Sequence, residues 1–312
     1  MNWARLSQDN PLIFLQRCVK IVLIRADRRV TRARMAFARV RHRQDFVLKE
    51  IQGSRMFLNI RDKGLSSDLY LRGKRENNAT DEFQKRLRED MVIVDAGANI
   101  GYYALMEAKA VGKKGKVYAI EPIPQNIELL KKNIEANGYG NMEVFQLAVG
   151  DKNGRQDIFV SRQSNLSTFC KNPGLDQSGE TLSVEVASLD SFLEGKRLPD
   201  IVRMDVEGYE YEILRGMGQT MKKDRNMQFF IEIHADFMGR EKTIELFRIM
   251  KESGFRHCRV VMESPDAFKF AGKIVSKEIL PEQGEFDKSI DEMIAEERFH
   301  HGVYHLFVEK RA

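Results

Sequence analysis

Six ionisable side chains stand where short apolar runs of this sequence end: Asp95, Glu121, Asp205, Glu207, Glu232 and His234. Asp95 closes the run Met91–Asp95 and leads into Gly97-Ala98-Asn99-Ile100-Gly101. Gly97 and Gly101 permit a positive φ or a close approach of backbone to a ligand. Glu121 ends the next run, where an acid can take both hydroxyls of a ribose. A dinucleotide loop wants G-x-G-x-x-G, and from Gly97 this chain reads Gly-Ala-Asn-Ile-Gly-Tyr, which puts a nicotinamide oxidoreductase out of step. A carboxylate at the mouth of the loop opposes a pyrophosphate and suits an ammonium group. A ribose clamp and a glycine loop without a phosphate cradle fit an adenosine carrying an amino-acid tail. The plainer alternatives are an unrelated glycine turn and a Glu121 that caps the helix opening near Pro124.

The other four residues suit proton transfer or metal binding. His234 has an unperturbed pKa near neutrality, at about 6.5, and is the preferred general base, with Asp205 and Glu207 beside it. The alternatives are a His234 that only caps its strand and a Glu207 that serves a helix N-terminus. Asp205, Glu232 and His234 also form a donor set for magnesium or manganese, which would lower the pKa of an acceptor hydroxyl. Arg203 is placed to offset the acids. Ser164, Asn165, Ser167 and Thr168 could hydrogen-bond a polyhydroxylated acceptor.

These residues need a frame that brings strand ends together. After residue 90 the pattern alternates: strands at Met91–Asp95, Lys116–Ile120, Met142–Gln146, Ile201–Asp205 and Met227–His234, with helices between them. Arg259–Met262 and Val303–Val308 finish the set as an antiparallel pair. This predicts a doubly wound α/β domain over 90–312, with a mostly parallel seven-stranded sheet and an insertion at 263–300. Ahead of it, residues 45–89 predict a small β-rich cap with strands at Phe46–Ile51, Met56–Ile60 and Asp68–Arg72, then a helix over Asp81–Arg88.

Charge divides the chain. Residues 1–90 hold 21 Lys+Arg against 11 Asp+Glu, so the remaining 30 and 35 leave the domain acidic. Residues 11–43, within a segment spanning 1–44, predict one amphipathic helix with nine arginines and the single acid Asp27. Its most apolar part is too short and too charged for a transmembrane helix. The readings open for it are packing on its own domain or a partner, docking on an anionic membrane surface, or binding nucleic acid, the last without any aromatic reader motif. Cys18, Cys170 and Cys258 make no CxxC pair, which predicts a reducing, cytoplasmic setting, on the membrane's inner face if the helix docks there.

The run Val94-Asp95-Ala96-Gly97-Ala98-Asn99-Ile100-Gly101 resembles the first motif of class I methyltransferases, and the chain is especially similar to the FkbM family. Glu121-Pro122-x-Pro124-x-Asn126, Ala148-Val149-Gly150-Asp151-x-x-Gly154 and Ser188-Leu189-Asp190-Ser191 resemble later motifs in order. So do Asp200-Ile201-Val202-Arg203-Met204-Asp205-Val206-Glu207-Gly208-Tyr209-Glu210, with Arg203 where the family usually has Lys, and Ile231-Glu232-Ile233-His234. The resemblance covers roughly 90–262 and implies S-adenosylmethionine as cofactor. By it, Asp95, Gly97, Asn99, Gly101, Glu121, Asn126 and Ala148 would surround the cofactor, with Asp205 near the methionine end. It implies O-methylation of a sugar, glycolipid or related metabolite. The reading from another class is a noncatalytic, membrane-associated binding protein acting through the basic helix.

Overall fold

Strands β3 (Val92–Ala96) and β9 (Ile201–Met204) are buried along their whole length, which explains why each is apolar at every position but one, Asp95 and Arg203 respectively, and does not alternate. The computed structural model describes residues 29–31, 33–42, 44–161, 167–170, 177–223, 226–263 and 284–310. Residues 11–28, 32 and 43 of the expected basic helix, residues 264–283 of the expected insertion, and Ser164 and Asn165 lie outside the described residues.

The chain opens with strands β1 (Phe46–Ile51) and β2 (Ser54–Asn59) and helices α1 (Leu65–Arg72) and α2 (Asn77–Gln84). After β3 come α3 (Tyr102–Val111), β4 (Lys116–Ile120), α4 (Pro124–Asn137), β5 (Met142–Phe145), β6 (Ala148–Gly150), β7 (Gly154–Ser161), β8 (Gln177–Ser188) and α5 (Leu189–Phe192). Following β9 are α6 (Glu210–Arg215), α7 (Gly218–Lys222), β10 (Met227–His234), α8 (Ala235–Met238) and α9 (Arg240–Glu252). The last elements are β11 (His257–Met262), β12 (Gly284–Ser289), α10 (Ile290–Ala295) and β13 (Val303–Lys310).

One eight-stranded sheet runs β12-β11-β13-β10-β9-β3-β4-β5. The pairs from β10 across to β5 are parallel, and β13 joins β10 and β11 antiparallel. These are the seven expected strands, with β12 added at the edge beside β11. Val92 and Val94 point into a core shared with Leu246 and Phe247, whereas Ile93 points into one shared with Leu105 and Leu130. That alternation places helices on both faces. The chain order turns back between β3 and β9, and ligands of open α/β sheets bind outside the strand ends at such a point. A separate sheet, β6-β8-β7, stands beside that edge. Among the described residues, no helix is long and apolar enough to cross a membrane.

The cap differs from expectation in two elements. Asp68–Arg72, read as a third strand, belongs to helix α1. Leu65 and Leu69 recur at helical spacing and are both buried, and the Asp62 carboxylate accepts from the Ser66 N–H at 3.0 Å. The next helix covers Asn77–Gln84 and not Asp81–Arg88, because its buried apolar residues are Ala79 and Phe83. The two expected strands are present and pair as an antiparallel hairpin, turning through Gln52 and Gly53, both at positive φ. Ile51, Met56 and Leu58 join the core of Leu105 and Leu130, so the cap packs on the sheet's own helices.

Candidate active site

The β3–α3 loop is built around Gly97. Its φ is +83°, its N–H and that of Ala98 donate to the Ile120 carbonyl, and a Cβ there would lie 2.0 Å from the Asp205 carbonyl oxygen. Only glycine lets the loop pass beneath β9 so closely. Asn99 is also left-handed, at φ +50°, and its side chain accepts from the Ile100 N–H at 2.8 Å. Beside the loop opens a cleft whose space, with the adjoining open solvent, is about 850 Å³.

The cleft separates into two ends. One is lined by Gly97, Asn99, Glu121, Asn126 and, from the side sheet, Ala148. Glu121 receives the Asn99 N–H at 3.0 Å, the Ile123 N–H at 3.0 Å and Asn126 Nδ2 at 3.1 Å. Burial pushes its pKa up to about 7 against those three donors. Since Ile123 precedes the first turn of α4, Glu121 serves that helix as well as the cleft. Leu147 and Val149 complete an apolar wall.

Two residues expected at this end stand elsewhere. Asp95 is fully buried and forms no part of the cleft lining; its Oδ1 accepts from Arg203 Nη1 at 2.7 Å. Gly101, at φ +98°, lets the start of α3 meet Leu130, whose Cδ1 would be 2.6 Å from a Cβ. Strand geometry sets the Asp95 result, because β3 and β9 place Asp95 opposite Arg203. Arg203 Nη2 reaches Asp205 at 3.0 Å, and its guanidinium lies 4.1 Å from the Tyr103 ring centre. A planar fork can bridge two carboxylates and stack, where a lysine would offer a point charge.

The other end is ionic. Asp205 and Glu207, beyond the end of β9, line the cleft with Arg75, Glu76 and Tyr103. Glu207 is held in a left-handed conformation, φ +52°, by Thr168 Oγ1, which donates to its carbonyl at 2.6 Å. Such backbone costs roughly 1–3 kcal/mol and concentrates at functional sites. Thr168 is buried and occupied in this way, while Ser167 remains on the cleft wall. Burial raises the Glu207 pKa to about 8, against the pull of His234.

His234 is not the cleft-facing base that the sequence suggests. It forms no part of the lining; its Nδ1 lies 2.7 Å from Glu210 Oε1 and its Nε2 3.3 Å from Glu207 Oε2. Although burial opposes the charge, those carboxylates hold its pKa well above the usual value. The expected metal set is divided too. Donor atoms of Asp205, Glu207 and His234 lie within 4.8 Å of one another, and so do those of Glu76, Glu232 and His305, which leaves Glu232 with the second group. Burial raises the Glu232 pKa to about 7.

Sequence reasoning missed Arg75, Glu76, Glu210 and His305. Glu210 stood in the segment quoted for its resemblance, and its spacing from Glu207 was the available signal. Arg75 and Glu76 lie in a polar stretch with no periodic mark, and they reach the cleft because α2 begins just after them. Arg75 pairs with Glu76, which Arg75 and His305 hold well below the carboxylate range despite burial.

A family model described as the methyltransferase FkbM domain matches residues 95–257. A second, described as protein-L-isoaspartate(D-aspartate) O-methyltransferase, matches residues 29–157. The chain is 39% identical over 59 residues to a protein-L-isoaspartate O-methyltransferase of Methanococcoides burtonii, covering 19% of this chain and 29% of that protein. It is 32% identical over 152 residues to the hexuronic acid methyltransferase AglP of Haloferax volcanii, covering 47% and 57%. To the 2-O-methyltransferase NoeI of Sinorhizobium fredii it is 28% identical over 153 residues, covering 44% and 62%. The matched region thus spans less than two thirds of each relative.

Proposed function

The chain belongs to the FkbM methyltransferase domain family, whose model covers more than half of it, and from that premise we propose that it methylates a hydroxyl of a sugar or glycolipid with S-adenosylmethionine. The observation that carries this reading is the cleft's division into a glycine loop with Glu121 at one end and a carboxylate cluster at the other. Nothing in the β3–α3 loop cradles a phosphate, and the excess of acids suits a ligand bearing a sulfonium and an ammonium. The names of AglP and NoeI, a hexuronic acid methyltransferase and a 2-O-methyltransferase, support a sugar hydroxyl as acceptor.

When bound, S-adenosylmethionine supplies an electrophilic methyl whose bond to sulfur breaks as the new O–C bond forms. Asn99, Glu121 and Asn126, which line the cleft, would hold the nucleoside, and Leu147–Val149 would flank the base. Alignment of the two reactants can contribute about 7–11 kcal/mol. Glu207 takes the hydroxyl proton, since it faces the cleft and its pKa of about 8 matches base chemistry near neutrality. His234 orients Glu207 and is itself fixed by Glu210. The test follows a labelled methyl group from S-adenosylmethionine into uronic-acid and neutral glycosides. Wild-type protein transfers it, and Glu207→Gln is slower by about 10²–10⁴-fold with cofactor affinity kept. Equal rates would remove Glu207 from the role, and no transfer to any hydroxyl acceptor would favour a noncatalytic binding protein.

A divalent magnesium or manganese ion is a second reading for the ionic end, favoured by the grouping of Asp205, Glu207 and His234. Transfer that survives chelation unchanged rules it out.

A further inference from the structure

The helical residues 29–31 and 33–41 have two unlike faces. Met35 and Ala38 are buried, Arg39 Nε donates to the Ile60 carbonyl at 3.0 Å, and just beyond, His42 Nε2 meets the Tyr70 hydroxyl at 3.1 Å. These contacts seat one side of the helix on the cap. On the opposite side Val30, Ala33, Phe37 and Val40 follow one another at spacings of three and four residues, which aligns them in a single stripe. Val30 is 49% exposed, Phe37 68% and Val40 81%. The other exposed large apolar side chains among the described residues, Phe46 and Leu48, lie in the strand that follows. Exposed apolar surface is therefore gathered into residues 30–48, and gathered surface of this kind marks an interaction site.

Charge identifies the partner. Arg34 and Arg41 border the stripe on one side and Arg29 on the other, and residues 29–41 contain no acid. A second copy pairing along this stripe would set arginine against arginine, with no carboxylate to answer it. An anionic lipid surface answers both features, because the acyl boundary accepts Phe37 and Val40 while headgroups meet the arginines. We propose that this face of residues 29–41 docks the protein on an anionic membrane. The inference does not rest on the methyl-transfer reading, since none of these residues lines the cleft. If both hold, the protein works on acceptors that are themselves carried by lipid.

The test is sedimentation of the full chain with vesicles of phosphatidylcholine, alone or mixed with phosphatidylglycerol. The expected result is binding to the mixed vesicles and weak or no binding to the neutral ones. Phe37→Ser with Val40→Ser lowers binding at least about tenfold, and Arg34→Gln with Arg41→Gln lowers it by about fivefold per arginine. Both variants keep the wild-type circular dichroism and titrate with S-adenosylmethionine as wild type does, so a failure of docking is distinguishable from a failure of the cofactor reading. Three outcomes overturn the proposal: absence from both vesicles, equal binding to both, or unchanged binding of the Phe37/Val40 variant. A concentration-dependent dimer abolished by Phe37→Ser, without vesicle binding, overturns it in favour of a second copy.

Discussion

At the residue scale, the position of a carboxylate relative to its neighbours decides what it can do. Asp95 and Glu121 both end central strands, and the sequence treats them alike as cofactor ligands. The structure separates them: Asp95 is paired beneath the cleft with Arg203, and Glu121 lines it. The partner across a sheet cannot be read from either strand alone, which is why Asp95 was misplaced. Asp95→Asn leaves the buried Arg203 with Asp205 as its remaining carboxylate, so it should lower stability by less than the roughly 3–5 kcal/mol of a fully stranded buried charge. Thermal unfolding checks this; an unchanged midpoint would return Asp95 to the cleft. His234 illustrates the same limit, because its type suggested a base while Glu210, brought beside it by α6, fixes its ring and raises its pKa.

At the element scale, the β3–α3 loop was the most legible part of the chain, since a buried strand, two glycines and a helix leave few other arrangements. Gly97→Ala should disable this element. The new methyl group would meet the Asp205 carbonyl, and backbone rather than a flexible side chain would have to move. The predicted outcome is loss of detectable S-adenosylmethionine binding together with a lower unfolding midpoint; normal binding would mean that the loop is looser than its contacts imply. The cap was less legible. In Leu65–Arg72 alternation and helical spacing overlap over a few residues, and only the burial of Leu65 and Leu69 decides between them. The antiparallel end of the sheet was read from its strands, but β12 lay inside a segment treated as an insertion.

At the scale of the whole molecule, buried ionisable groups lie at both ends of the cleft and behind it. Burial lifts Glu121 and Glu232 to about 7 and Glu207 to about 8, and neighbouring carboxylates lift His234 and His305. Each group binds its proton more tightly folded than unfolded. Their contribution to stability is therefore complete below the unfolded values of 4.5 for the carboxyls and 6.5 for the histidines. It is lost as pH rises through the folded values. Glu76, whose pKa is lowered, acts in the opposite sense at acid pH. The ligand-free protein should thus melt at progressively lower temperature as pH rises from about 6 to about 8, and S-adenosylmethionine should recover most of that loss by supplying cations to the cluster. A flat profile would mean that the cluster is already neutralised. The most direct test of the central claim is calorimetric titration of the purified chain with S-adenosylmethionine, with NADH in a parallel cell. The account predicts about micromolar binding of the first and none of the second; a folded protein that binds NADH, or binds neither, would contradict it.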